Sequence, residues 1–173
     1  MTLSNEKITL RAVEKDDLDM LYILENEMYA GGSSFLNGPV SRHLLWQYIQ
    51  SYSADIYVQR QLRLIVCDVN SGESVGIVDL TDYEPHDGRA FVGIAVLNKF
   101  RRCGYAQAAL TLMCDYASKE LGLHQLAAQV AVDNVSSIKL FHSCGFKTCG
   151  SLRSWIRRGK HYADALLFQR LFP

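Results

Sequence analysis

The stretch NKFRRCGYAQAAL, residues 98–110, gathers Lys99, Arg101 and Arg102 with Gly104 and Tyr105 just ahead of an alanine-rich apolar segment. A loop that feeds a helix leaves the backbone N–H groups of the first turn unpaired, with the positive end of the helix dipole behind them. Arginines add full charge there, and a glycine lets the backbone approach a ligand with no Cβ in the way. Those residue types in that order suit a diphosphate, although an exposed basic turn would have the same composition. The apolar run VGIAVL, residues 92–97, enters the loop, so a long tail on the ligand would have a strand to lie along. Neither GxxxxGK[ST] nor GxGxxG occurs, which excludes the usual nucleoside-triphosphate and dinucleotide cradles. A ligand with a diphosphate and a long arm fits better.

Other residues that could do chemistry are scattered. Asp82, Tyr83 and Glu84 close an apolar run, and Tyr162 and Asp164 stand two apart near the C-terminus. Glu25, Glu27, Tyr29 and Trp46 flank the segment GGSSFLNGPVSRH and could receive a cation by charge or by a ring face. The five cysteines, Cys67, Cys103, Cys114, Cys144 and Cys149, include no CxxC pair, so neither a disulfide framework nor a structural zinc site is expected, and no metal is assigned.

The elements that must position these residues follow from periodicity. ITLRAV alternates like a half-buried strand, and VEKDDLDMLYILENE opens acidic before its apolar residues fall at helical spacing. RHLLWQYIQSYSADIYVQR, residues 42–60, predicts a second helix. LRLIVCDV and VGIVDLTDY predict two strands joined at Asn70, Ser71 and Gly72, and AFVGIAVL predicts a third. The helix YAQAALTLMCDYASKEL is expected to stop at Gly122, and HQLAAQVAV follows as a strand. Asn134 is placed to cap the short helix VSSIKLFHSC, and SLRSWIRRG with KHYADALLFQRLF closes the chain as a hairpin turning at Gly159. This order implies one α+β domain over residues 1–173, built on a single mixed, mostly antiparallel sheet flanked by helices. Lys plus Arg and Asp plus Glu are 18 each, which argues against a nucleic-acid partner. No apolar window is long enough for a membrane span and no signal-peptide core opens the chain, so a cytoplasmic protein with no membrane partner is expected.

Arg101-Arg102-Cys103-Gly104-Tyr105-Ala106 resembles the Arg/Gln-x-x-Gly-x-Gly/Ala motif of the GNAT superfamily of acetyl-CoA-dependent N-acetyltransferases. QVAVDNVSSIKLFHSCGF, residues 129–146, is similar to the second signature of that family, and the element order matches along nearly the whole chain. The opening strand and helix with VAVDN and CGF resemble the branch that holds spermidine acetyltransferases and ribosomal-protein N-terminal acetyltransferases. The resemblance implies acetyl-CoA as donor, with the backbone of Ile94, Ala95 and Val96 along its pantetheine arm and an N–H near Ile94 or Ala95 facing the oxyanion. It implies Arg101 through Ala106 at the pyrophosphate and Asn134 near the thioester. The acceptor is then a primary amine on a small molecule, a polyamine or a protein N-terminus, attacked directly in a ternary complex. A homodimer is plausible for the branch.

The chain departs from the family at two positions. Phe141 stands where many relatives carry a tyrosine that protonates the leaving thiolate, and Phe91 where relatives often carry a glutamate base. Solvent could carry both protons, neighbouring groups could substitute, or the protein could be a catalytically weak acetyl-CoA-binding module. Glu84 is the first substitute for the base, against the plainer reading as an exposed strand-end carboxylate. Glu25, Tyr29, Tyr83, Tyr162 and Asp164 are candidates for the acceptor pocket. GGSSFLNGPVSRH lacks the dense acidic residues that polyamine acetylators of this branch show there, which disfavours polyamine acetylation as the specific reading.

Overall fold

The computed structural model describes residues 3–30 and 38–173. Seven strands form one sheet in the order β1-β2-β3-β4-β5-β7-β6, namely β1 (Ile8–Arg11), β2 (Leu62–Asp68), β3 (Ser74–Glu84), β4 (Arg89–Val96), β5 (Gln125–Ala131), β6 (Lys147–Arg158) and β7 (His161–Leu171). Among the described residues five α-helices accompany them: α1 (Leu18–Ala30), α2 (Arg42–Ser51), α3 (Ile56–Gln59), α4 (Tyr105–Lys119) and α5 (Val135–Ser143). All adjacent pairs are antiparallel except β4 with β5. The expected α+β architecture is therefore present, and one mixed sheet carries it.

Strand alternation divides the core between the two faces. Val78, Leu80 and Val92 turn to α4 and pack with Ala109, Leu110 and Met113. Ile65 and Ile77 turn the other way, under Leu21 and Leu24 of α1 and Leu45 and Ile49 of α2. The start of α1 is fixed to the sheet by Arg11, whose two terminal nitrogens each donate to Asp17 at 2.7 Å, while the Ser74 hydroxyl donates to the same carboxylate at 3.1 Å. Burial opposes the charge of Asp17, and the bonds from Arg11 and the Glu14 N–H override it, so its carboxyl titrates below the ordinary range.

The helix expected over residues 42–60 is instead two. α2 ends at Tyr52, whose hydroxyl donates to the Arg63 carbonyl, and Asp55 starts α3 by accepting from the N–H groups of Tyr57 and Val58. A side chain that bonds its own downstream backbone competes with the helix ladder, and SYSAD is rich in such residues. Of the segment GGSSFLNGPVS, residues 31–37 lie outside the described residues.

The feature that makes a site is the junction of β4 and β5. These strands pair only at Arg89, Ala90 and Phe91 against Gln125, Leu126 and Ala127. Beyond Phe91, β4 continues against β3 as far as Val96, and β5 continues against β7 as far as Ala131. The two halves of the sheet thus separate from Val92 onward, and α5 closes the back of the opening. Phe141 of α5 stacks on Phe168 and meets Phe146 edge-on, with centroids 5.7 and 5.1 Å apart.

Candidate active site

A cleft of about 1070 Å³ occupies the opening between the separated strands. Val92 through Val96 of β4 form one wall, Gln129 and Val130 of β5 the other, and Asn134, Leu140 and Phe141 the back. Among the described residues no strand lies beside β4 on this side after Phe91, so those backbone groups that do not bond β3 face the cleft. A ligand with amide groups in its arm can pair with that edge as an added strand would. Gly76 sets the position of this wall. It pairs with Val96, and a Cβ on it would press against the Ala95 carbonyl oxygen, a backbone atom that cannot yield cheaply. Gly76→Ala is expected to cost about 1–3 kcal/mol, as overpacking does, and to weaken cofactor binding by moving β4. Chemical denaturation of the variant measures the first and calorimetry the second.

At the mouth, Arg101, Arg102, Gly104, Tyr105, Ala106 and Gln107 line the cleft. Arg102 and Gly104 both have positive φ, 61° and 81°, and Gly104 is the N-cap of α4. The first bond of the helix ladder there runs from the Ala108 N–H to the Gly104 carbonyl. The N–H groups of Tyr105, Ala106 and Gln107 precede it and point out of the helix end, where an anion is favoured. The Arg101 side chain donates to the Val96 carbonyl at 3.4 Å, tying the loop to the end of β4. Tyr105 directs its hydroxyl to Asp68 at 2.8 Å, and the Lys7 ammonium sits 4.9 Å from its ring centroid. Donating that bond to a carboxylate makes the phenol harder to ionise. Cys103 belongs to the loop but is exposed, with its thiol on the Arg101 carbonyl, and it is not part of the lining.

Asn134 caps α5 as expected, accepting from the Ser137 N–H at 3.2 Å and the Ser136 hydroxyl at 3.0 Å. Its carbonyl oxygen is thereby committed to the helix, and the amide nitrogen takes no part in the cap. Phe141 is 4 % exposed and still contributes to the cleft wall.

The far end of the cleft is polar for a reason of register. Arg63 of β2 pairs with Asp79 of β3, which pairs with Gly93 of β4, so the three form one row across the sheet on the face covered by α1 and α2. Arg63 donates to both Asp79 oxygens, from Nε at 2.9 Å and a terminal nitrogen at 2.8 Å, and its other terminal nitrogen reaches Glu25 of α1 at 2.9 Å. Burial works against the Arg63 charge, and the attraction and bonds of Asp79 more than offset it, so this guanidinium stays protonated. Tyr48 of α2 lies over it, 5.6 Å from ring centroid to guanidinium carbon, and burial pushes its phenol up to about 12. Glu25, Tyr48, Arg63, Asp79 and Gly93 all line the cleft.

Of the residues expected at the site, Glu25, Ile94, Ala95, Val96, Arg101, Arg102, Gly104, Tyr105, Ala106, Asn134 and Phe141 converge on one cleft. The others do not. Tyr83 and Glu84 border a separate depression of about 440 Å³ with Arg60, Asp82, Arg89 and Phe91, and the Glu84 carboxylate lies 3.6 Å from the Arg60 guanidinium. A bulge at Asp82, which has φ of 48°, turns the end of β3 away from the cleft. Tyr29 and Tyr162 are exposed outside the cleft lining, and Asp164 accepts from the Ser154 N–H at 2.7 Å to shape the β6–β7 ribbon. Arg63, Tyr48, Asp79 and Gly93 were not expected. The signal was a charged residue inside each of the apolar runs LRLIVC and VGIVDL, at equal separations from Ser71 in the turn.

The chain is 28% identical over 174 residues to the N-acetyltransferase p20 of Bacillus licheniformis, covering 98% of this chain and 96% of that one. It is 27% identical to the spermidine N(1)-acetyltransferase of Vibrio cholerae, over 86% of this chain and 83% of the relative. A crystal structure of the Vibrio cholerae spermidine N-acetyltransferase in complex with CoA and spermine superposes with a TM-score of 0.85 at 26% identity, covering 96% of both chains. The sequence model of the acetyltransferase (GNAT) domain matches residues 7–147. The chain is therefore an N-acetyltransferase and belongs to the GNAT family.

Proposed function

We propose that the protein moves an acetyl group from acetyl-CoA directly to a primary amine, both bound at once in the cleft between β4 and β5. The observation that carries this reading is the free edge of β4, which runs from Gly93 to Val96 and ends at a loop whose arginines and unpaired N–H groups suit a diphosphate. The fit is specific in type: an amide-bearing arm needs an unpaired strand edge, and a diphosphate needs a helix N-terminus with cations beside it. The relative crystallised with CoA and spermine shares this fold.

The chain's own residues then divide the work. The backbone N–H of Ile94 or Ala95 faces the thioester carbonyl and stabilises the oxyanion as the amine attacks. The Asn134 amide nitrogen donates to the arm, and its oxygen keeps α5 in place. Holding donor and acceptor in line supplies much of the acceleration, because the amine needs no covalent help from the enzyme. Two protons must leave or arrive: one from the ammonium before attack, one to the departing thiolate. Phe141 borders the cleft and has none to give, so water supplies the second. A polyamine or another multiply charged amine is the first acceptor class to test. The acidity missing from GGSSFLNGPVSRH is present in Glu25 and Asp79.

A second reading, an acetyl-CoA-binding module with little turnover, is favoured by one observation, the closed packing of Phe141 against Phe146 and Phe168. Release of free thiol from acetyl-CoA in the presence of mono-, di- and polyamines and short peptides separates the two. Acceptor-dependent release supports transfer. A melting shift with acetyl-CoA and no release on any acceptor supports the binding module.

A further inference from the structure

We infer that Glu25 and Asp79, on either side of Arg63, form a subsite for a second positive charge on the acceptor, distinct from the nitrogen that is acetylated. The inference rests on the acetyl-transfer reading and deepens it. Both carboxylates converge on a single guanidinium, so the cluster keeps one uncompensated negative charge. Glu25 is 7 % exposed, and both carboxylates border the cleft, where a buried charge acts at low dielectric and little salt reaches it. The Tyr48 phenol adds no charge there and presents a ring face over the same guanidinium.

The reacting nitrogen is not the guest of this cluster, whose two carboxylates are both held by Arg63 and so are poorly placed to take its proton. The placement agrees, because Asp79 lies on the face of β3 under α1 and α2, whereas transfer takes place at the edge of β4 that faces β5. Gly93 stands between the two. It pairs with Asp79, and a Cβ built on it would meet no atom within 4 Å, so the floor is open just where a chain would pass from one end to the other. Neighbouring strands lie about 4.8 Å apart, so the span from Asp79 across β4 to the gap is roughly two strand spacings. An amine whose second cation is separated from the first by several carbons matches that span. The same cluster also stitches α1 to the sheet, and that structural task would be served by a neutral arrangement without favouring any acceptor.

The test compares a diamine with a monoamine of equal chain length that ends in a methyl group. The wild-type protein is expected to prefer the diamine through KM. Asp79→Asn and Glu25→Gln keep shape and a hydrogen-bond acceptor for Arg63, and each is expected to raise the diamine KM at least about tenfold with kcat nearly unchanged. The monoamine KM should not move, so the preference collapses. An acetyl-CoA melting shift of wild-type size in the variants shows the donor site intact. A wild-type protein with no preference for the diamine overturns the subsite without any variant, as does equal loss on both acceptors. Absence of any acetyl-CoA shift or transfer by the wild-type protein overturns the transfer reading instead, and the subsite with it.

Discussion

Gly104→Val is expected to weaken acetyl-CoA binding by roughly a hundredfold or more, the equivalent of about 2.7 kcal/mol, while the fold survives. Space is not the obstacle, since a Cβ on Gly104 would meet only the Lys7 side chain at 3.6 Å, an ordinary contact. The obstacle is the backbone, with φ of 81°, a region that a β-branched residue adopts only under strain. Relieving that strain rotates the peptide units on either side and takes the N–H groups of the first turn of α4 out of convergence. Gly104→Asn separates this cause from simple crowding, because asparagine tolerates a left-handed conformation and should lose about tenfold at most. Isothermal calorimetry on both variants gives the comparison. An unchanged affinity in the valine variant would remove the loop from the donor site.

Phe141→Tyr is expected to do the reverse and raise turnover. The leaving thiolate must be protonated, and a positioned acid is worth about 10²–10⁴-fold where that proton transfer limits the rate. The wild-type ring is closely packed, 5.1 Å from Phe146 and 5.7 Å from Phe168 by centroid, and it reaches the cleft wall. Because the ring borders the cleft, the added hydroxyl is expected to face it. On a good acceptor kcat should rise roughly tenfold to a hundredfold, within the range for one general acid. The gain should fade above about pH 10, where a tyrosine ionises and has no proton left to donate. A kcat equal to that of the wild type on every acceptor would show that proton delivery to the thiolate is not slow, and water would stand as a sufficient acid.

What the sequence made legible was whatever depends on neighbours along the chain. The strands and the long helix follow from period, the cap at Asn134 from a side chain placed before an apolar helix, and the anion loop from glycine and arginine at a strand-to-helix junction. The errors have local causes too. Residues 42–60 carry helical spacing throughout, and the competing bonds of Asp55 and the reach of Tyr52 to β2 divide them into α2 and α3. Glu84 shares a strand with Asp79, but the bulge at Asp82 turns its side chain to a different depression. The acceptor end was hardest to foresee, because it depends on strand register across three elements and on a helix laid over them. Arg63, Asp79 and Gly93 are far apart in sequence and adjacent in the sheet. Within LRLIVC and VGIVDL each charged residue reads as an exception to an apolar strand, and only the hairpin at Asn70 to Gly72 turns two exceptions into a pair.

Incubation of the protein with acetyl-CoA and a short diamine, followed by mass analysis of the amine, tests the central claim most directly. Transfer predicts a product heavier by one acetyl group, formed in proportion to free CoA and only when protein, donor and acceptor are all present. Binding of acetyl-CoA with no acetylated product from diamines, monoamines, polyamines or peptides would contradict it.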